Sequence, residues 1–413
     1  MAMNSLEKAV YEAVKDNVAV KNHVKWLYQL IFSTLSPSEV ETDLILTERP
    51  RTFFGFHDKS PWSSDGHRLL GHSIEGAGKG SGWRKGQPVE ISVFYGENWT
   101  QSTTVSRTRA WNWQQGSQLQ WLGDKNKIVY NAFRDSVCRA VVQDLDAGKE
   151  TVLDYPIAAV SPNGRMYASI CFETFGRAME GYGYAFEATQ SSSNVSSCTL
   201  VVVDRQGKEI RIALDDLRSE IEPRPDEGID FFSHCLFSPD GERLLFLRRQ
   251  SRPNRRLRSE MFCLDVASGS VQRVGFKDMV SHFTWIGPTA LLAYANTEEG
   301  GDGFYSADVD AQTLTDWTDR LNERDGHPHA TPTGDVVVFD TYPDRARYQH
   351  LLVWREGEKQ SQTIAKIPSP MKFWGTARVD LHPRVRPDGE YIAFDAGFSG
   401  TRSLVTAKLS SVD

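Results

Sequence analysis

Short apolar segments with alternating polar positions recur along the chain. Examples are "RLLFL" (243–247), "VVVFD" (336–340) and "YIAFD" (391–395), each following a turn that contains glycine, such as "SPDG". A period of two residues predicts β-strands rather than helices. Proline presets φ for such a turn and glycine supplies a positive φ, so each unit reads as a β-hairpin.

Seven segments of this type divide most of the chain into similar units. They begin near positions 57, 111, 158, 233, 281, 326 and 381, about 54 residues apart on average. Repeated four-stranded units of this size are typical of β-propeller blades. We therefore expect an all-β protein, a seven-bladed β-propeller over residues 42–413, with an insertion at 174–197. The segment Thr42–Glu48 is the expected N-terminal strand that closes the ring.

The N-terminal segment has a different pattern. Apolar residues follow a partly helical stripe over residues 5–35: Val10, Val14, Val18, Val20, Val24, Leu27 and Ile31. We expect residues 1–41 to form a helical extension packed against the propeller. Docking of residues 5–35 to a protein or a membrane surface is the alternative.

Composition narrows the class of protein. The net charge is -7 and the five cysteines form no C-x-x-C pair, which argues against a nucleic-acid partner, a zinc ribbon and a disulfide-stapled domain. No stretch reaches the ~20 apolar residues of a transmembrane segment. We expect a cytoplasmic protein. The basic run Arg248–Arg258 is interpreted as a solvated loop.

Half of the ten histidines occupy one position of the repeat. His57, His234, His282, His327 and His382 each precede the turn of a unit and should line the central channel. Converging neutral imidazoles are typical of a divalent metal site, of the Mn, Zn or Ca-like kind, or of a funnel that binds a polyanion. We predict the metal site, with His234, His282, His327 and His382 as ligands. The alternative is that these histidines only form hydrogen bonds to water buried between the narrow inner strands. Asp230, Asp380 and His329 are further candidates for the same site.

A second group has the residue types that β-elimination on a uronic acid requires. A cation must neutralise the carboxylate, a base must remove the C5 proton, and an acid must protonate the leaving oxygen. The candidates are His57, His72, Arg134, Arg177, Tyr182 and Tyr184.

Several units resemble a known family. "SPDG…LLF" is similar to TolB-type blades, and "SHCLFSPDG", "DGHPHATPTGD" and "DLHPRVRPDGEYIAFD" resemble the seven-bladed polysaccharide lyases, the oligogalacturonate lyases and ulvan lyase-like propellers. The resemblance implies metal-assisted cleavage of a uronate-containing glycan, carried out by a carbon–oxygen lyase. It implies metal binding by the four channel histidines and acid–base roles for His57, His72 and Tyr182 or Tyr184, with Arg177 facing the substrate carboxylate.

The chain departs from the family at one point, because "DGHPHA" contains no glutamine to match the one that the oligogalacturonate type supplies to its metal. Two other functions fit the same scaffold. One is a glycoside hydrolase, and the other is a non-catalytic propeller that binds glycan or protein in a polysaccharide pathway.

Overall fold

The protein is a seven-bladed β-propeller with a helix before it, as the repeat predicts. The structure is a computed structural model that describes residues 18–33, 39–74, 86–123, 126–185, 196, 198–221, 228–253, 255–322 and 324–409. The seven sheets are antiparallel, and within each blade the strands that follow one another in the chain are neighbours in the sheet. The first strands of blades three and four, of blades five and six, and of blades six and seven contact each other.

The strand bounds are as follows. Blade one consists of Thr52–Phe53, Leu69–Ser73, Val89–Tyr95 and Gln101–Thr108. Blade two consists of Gln120–Trp121, Lys127–Arg134, Val137–Asp144 and Lys149–Val152. Blade three consists of Ala159–Val160, Met166–Ser169, Thr199–Asp204 and Glu209–Ala213. Blade four consists of Ile229–Phe237, Arg243–Ser251, Arg258–Asp265 and Val271–Arg273, and blade five of Val280–Trp285, Ala290–Thr297, Gly301–Asp308 and Thr313–Asp316. Blade six includes His329–Ala330, Val336–Asp340, Tyr348–Arg355 and Gln362–Pro368, and blade seven includes Arg384–Val385, Tyr391–Ala396 and Ser403–Lys408.

Two N-terminal strands complete the last two blades. Leu46–Pro50 pairs with Ser403–Lys408 as the outer strand of blade seven, so the two ends of the chain close the ring. Glu41–Thr42 pairs with Gln362–Pro368 at the rim of blade six. The closing strand thus begins at Leu46, later than the sequence predicts, because the chain first follows the neighbouring blade.

The turns explain why glycine recurs in the motif. Gly241, Gly334 and Gly389 all have φ +77, and each donates its N–H to the carbonyl three residues earlier at 2.9 Å. Only glycine adopts this conformation without strain. At Gly334 a β-carbon would also lie 2.3 Å from the Ile286 carbonyl oxygen of blade five.

The core lies between the blades. Leu244, Leu245, Phe246 and Leu247 form a continuous apolar run in blade four, and all four are fully buried. A sheet covered on both faces needs such a run. The Phe304 and Phe339 rings, from blades five and six, meet with centroids 5.7 Å apart. Truncating one of these side chains to alanine would cost about 3–5 kcal/mol.

Two α-helices are described, Val18–Ser33 at the N-terminus and Phe172–Ala178 in the blade-three insertion. Gln29 of the first helix is buried against the propeller and bonds to the loop of blade six. Val10 and Val14 of the predicted stripe lie outside the described residues. None of the described helices is long and apolar enough to cross a membrane. The predicted domain boundary, docking role and cytoplasmic location stay predictions.

Candidate axial histidine site

The five inner-strand histidines meet near the propeller axis, as their shared position predicts. The His327 ring lies 4.1 Å from that of His282 and 4.3 Å from that of His382, centroid to centroid. His57 lies 5.4 Å from His327. The phenyl ring of Phe56 contacts all five imidazoles, at 4.6–6.0 Å. A buried phenylalanine therefore fills the space among them.

Irregular backbone positions several of these side chains. The pairing register slips between Ser233 and Leu236 in blade four and between Val280 and Phe283 in blade five. A bulge of this kind redirects a side chain locally. His234 and His382 also have positive φ, 53° and 43°. Non-glycine residues rarely adopt this conformation, and such outliers concentrate at functional sites.

Hydrogen bonds fix the orientation of three imidazoles. Nδ1 of His57 donates to the Pro328 carbonyl at 2.7 Å, and Nδ1 of His382 donates to the Gly55 carbonyl at 2.8 Å. Nδ1 of His327 donates to the buried carboxylate of Asp340 at 2.7 Å. A proton on Nδ1 leaves Nε2 with a lone pair. In the described part of the chain, the buried Nε2 atoms of His327 and His382 have no hydrogen-bond partner.

Three residues meet the requirements of a metal site. Ligand atoms of His327, Asp380 and His382 lie within 4.8 Å of one another. Imidazole and carboxylate suit a divalent transition metal, and a carboxylate behind a ligating histidine is the usual orienting partner. The orphaned Nε2 atoms and the position of Asp340 therefore fit a metal ion.

The other two predicted ligands have different surroundings. Nδ1 of His282 lies 3.1 Å from Asp325 Oδ1, and the ring stacks near His327. The ring of His234 contacts Phe56, Phe175 and Tyr182. His282 thus adjoins the three-residue group, whereas the ring contacts of His234 are to these three aromatic side chains.

Burial and mutual repulsion determine the charge of the cluster. Burial, followed by the charges of its neighbours, lowers the pKa of four members: His57, His234, His282 and His382. Burial also acts on His327, but the charge and hydrogen bond of Asp340 outweigh it and raise its pKa. Neutral imidazoles are the form that binds metal.

Of the three further candidates for the metal site, Asp230, Asp380 and His329, only Asp380 belongs to the three-residue group. Asp230 lies 3.7 Å from the guanidinium of Arg248. Burial, then the charge of Arg384, lowers the pKa of His329 to about 3. His329 is not part of the group of ligand atoms.

Arg249 and Arg378 lie near the histidines, and neither of them was assigned to the site from the sequence. Arg249 is 3% exposed, donates to the carbonyls of Val280 and Ser281 at 3.2 and 3.1 Å, and forms no ion pair with any carboxylate in the described ranges. Burial lowers its pKa to about 10. Arg248 and Arg249 are buried strand residues, so their interpretation as a solvated loop is wrong. The continuous apolar run before them was the signal of a strand buried on both faces.

Arg378 joins the site to Tyr182. Its Nε donates to Asp380 at 2.6 Å, and its Nη2 donates to the Tyr182 hydroxyl at 2.9 Å. The Tyr182 ring lies 6.3 Å from that of His234. Of the six predicted catalytic residues, His57 is a member of the histidine cluster and Tyr182 lies next to it.

The other four predicted catalytic residues have different partners. His72 is fully buried, stacks on Phe53 and accepts from the Ser117 N–H at 3.1 Å. Arg134 pairs with Glu150 at 3.1 Å, and the exposed Arg177 donates to Thr174 at 3.4 Å. Tyr184 is buried, stacks on Phe172 and accepts from Asn131 at 2.8 Å. No contact to the axial histidines is observed for these four among the described residues, and their catalytic roles stay predictions.

The axial histidine cluster therefore lies in a seven-bladed propeller, and two solved structures share this fold with the chain. Oligogalacturonate lyase in complex with manganese aligns with TM-score 0.62 at 15% identity, covering 91% of this chain and 99% of that chain. Oligogalacturonate lyase from Vibrio parahaemolyticus aligns with TM-score 0.58 at 14% identity, covering 90% and 98%. No family model and no curated protein matches the chain. At these identities the likeness confirms the fold alone.

Proposed function

We propose that the protein is a metal-assisted lyase that cleaves a uronic-acid-containing oligosaccharide by β-elimination. One observation carries the proposal: ligand atoms of His327, His382 and Asp380 lie within 4.8 Å of one another, and the buried Nε2 atoms of both histidines have no hydrogen-bond partner among the described residues. The fold shared with oligogalacturonate lyases supports the same class of reaction.

The buried guanidinium of Arg249 argues for an anionic substrate. Burying an ion is costly unless a charged partner compensates it, and the described residues offer Arg249 only carbonyls and a thioether at hydrogen-bonding distance. A uronate carboxylate would supply the missing charge through a bidentate contact. Arg249, assisted by Arg378, takes the role that the resemblance gave to Arg177.

The chain's own residues divide the reaction between them. His327, His382 and Asp380 would hold the metal, with His282 adjacent and His234 as a further predicted ligand; a bound divalent cation supplies positive charge that acidifies the C5 proton. His57 and Tyr182 exchange protons with the substrate. The C5–H and C4–O bonds break, a C4=C5 double bond forms, and the leaving oxygen takes up a proton. Arg378 orients the Tyr182 hydroxyl for its part in this exchange.

Unsaturated product is the direct test. Purified protein supplied with Mn²⁺ and oligogalacturonate should generate the ultraviolet absorbance of a C4=C5 double bond, and a chelator should abolish it. A His327→Gln, His382→Gln double variant should lose both bound metal and activity. The exposed His67 offers a matched control, because His67→Gln should retain both.

Other products would contradict the proposal. New reducing ends without unsaturation would indicate a glycoside hydrolase. Tight binding of the oligosaccharide with neither product would indicate a binding protein. A wild-type protein that binds no divalent metal would overturn the metal site.

A further inference from the structure

A loop of blade six carries a tyrosine to the histidine site. The loop joins Val336–Asp340 to Tyr348–Arg355, and Asp340 at its start orients His327. The Tyr342 ring lies 5.3 Å from the His327 ring and 6.3 Å from the His282 ring. Tyr342 is partly exposed.

The hydroxyl of Tyr342 shares the charged surroundings of the site. Burial raises its pKa, and the nearby carboxylates of Asp325 and Asp380 raise it further. Arg378 and Tyr182 are also among its electrostatic neighbours. A phenol hydroxyl at this place can donate a hydrogen bond to a sugar oxygen.

The N-terminal helix fixes this loop through one side chain. Gln29 is 2% exposed, and its Nε2 donates to the carbonyls of Pro343 and Asp344 at 3.1 and 3.2 Å. Its Oε1 accepts from Arg347 Nη1 at 2.9 Å. One glutamine thus bonds to three residues of the loop, and two of them, Pro343 and Asp344, follow Tyr342 directly.

Arg347 shows that the loop conformation depends on its partners. Its φ is +66, and its guanidinium donates to the carbonyl and hydroxyl of Ser369 at 2.8 and 2.7 Å. The same guanidinium lies 5.5 Å from the Trp374 ring. A strained residue persists only when its surroundings hold it. Gln29 is part of those surroundings, because its Oε1 accepts a hydrogen bond from the guanidinium of Arg347. That guanidinium is buried, and burial lowers the pKa of Arg347 to about 10.

We propose that Tyr342 is a substrate-contacting residue of the site, and that Gln29 of the N-terminal helix is the positioning residue that holds its loop. The inference rests on the proposed function for the identity of the ligand. It assigns the N-terminal helix a role within the site, where the sequence pattern indicated only packing or docking.

Equilibrium binding tests the tyrosine. Digalacturonate is titrated calorimetrically with a chelator present, so that no cleavage takes place. Tyr342→Phe should weaken binding about three- to tenfold, the loss expected for one hydrogen bond. Tyr95→Phe, an exposed tyrosine in blade one, should leave binding unchanged. Equal binding by the two variants, or no binding by the wild-type protein, would overturn the role of Tyr342.

Hydrogen–deuterium exchange tests the positioning role without any substrate. Gln29→Ala should speed exchange of the loop amides at 342–347 about tenfold or more. Gln29→Glu keeps the oxygen that faces Arg347 but loses the amide donor, so its exchange should fall in between. Leu27→Gln, an exposed change on the same helix, serves as the control.

The binding and the exchange experiments together distinguish failure of this inference from failure of the proposed function. If Gln29→Ala weakens digalacturonate binding to the same extent as Tyr342→Phe and opens the loop, the positioning role holds even where the wild-type protein yields no unsaturated product. Loop exchange equal to that of Leu27→Gln would overturn the role of Gln29, whatever the protein's activity.

Discussion

At the residue scale, Asp340 organises the candidate metal site. Its Oδ1 accepts from the His327 N–H at 2.9 Å and from the His327 imidazole at 2.7 Å, and its Oδ2 accepts from the His382 N–H at 3.0 Å. One fully buried carboxylate therefore fixes two candidate ligands on two blades. Asp395 occupies the matching place in blade seven and accepts from the N–H groups of Phe54 and Gly55.

This pair of aspartates gives a controlled prediction. Asp340→Asn should lower metal affinity about 10- to 100-fold, because the carboxylate that orients a metal-ligating histidine is lost. Asp395→Asn should reduce stability but leave metal affinity close to that of the wild-type protein, since Asp395 bonds to no imidazole in the described residues. Metal titration of both variants checks this. Equal losses of affinity would mean that Asp340 acts only through folding.

His72 should make stability depend on pH. Burial lowers its pKa from 6.5 to about 4, so the folded state resists protonation that the unfolded chain accepts. Stability is then retained above the unfolded pKa and lost as the pH falls below it, by about 2 kcal/mol at about pH 5 for this residue. Urea unfolding at neutral pH and at about pH 5 measures the loss. In the His72→Gln variant, the free energy of unfolding should differ less between the two pH values than in the wild-type protein. The variant His67→Gln, which changes an exposed histidine, should show the same difference as the wild-type protein.

At the element scale, the strand Leu46–Pro50 closes the ring by pairing with Ser403–Lys408, and the side chain of Arg49 adds buried contacts. Its guanidinium donates to the Trp99 carbonyl at 2.7 Å and to the Thr406 hydroxyl at 3.0 Å, linking blades one and seven. The side chain is buried, and burial lowers its pKa to about 10. The sequence gives no hint of this contact, because Arg49 looks like an ordinary surface residue of an edge strand.

Arg49→Met should therefore destabilise the propeller. The change leaves buried carbonyl and hydroxyl groups without a donor, at a cost of about 1–3 kcal/mol or more. Arg107→Met removes an exposed arginine that pairs with Glu90 at the surface, and it should cost less than about 1 kcal/mol. Chemical denaturation compares the two variants. A loss for Arg49→Met no larger than for Arg107→Met would contradict a closing role for this side chain.

The sequence predicted those features of the fold and of the candidate site that recur in each blade. The shared turn and the shared histidine position follow from local chemistry repeated in register, so the fold and the convergence of the five histidines were predictable. Phe56, Arg249 and Arg378 were not, because each reaches the site from a position that the repeat does not mark. The strand split at Thr42 and Leu46 depends on two blade edges that meet only after the ring has formed.

At the scale of the whole molecule, the candidate metal site and the ring closure share the same two blades. His327 enters blade six, while Asp380 and His382 lead into blade seven. These are the blades that the N-terminal strands Glu41–Thr42 and Leu46–Pro50 complete. A ligand that bridges the inner ends of both blades would thus reinforce the place where the two ends of the chain meet.

Metal binding should accordingly stabilise the entire propeller against unfolding. A metal bound only by the folded state adds about 2.7 kcal/mol at a hundredfold excess over its dissociation constant. Thermal or urea unfolding with and without Mn²⁺ should show this gain in the wild-type protein and in His67→Gln, and none in the His327→Gln, His382→Gln double variant. A similar gain in the double variant would place the metal elsewhere in the chain. A gain that depends on the two histidines would place the metal at the axial site, where blades six and seven supply the three candidate ligand residues.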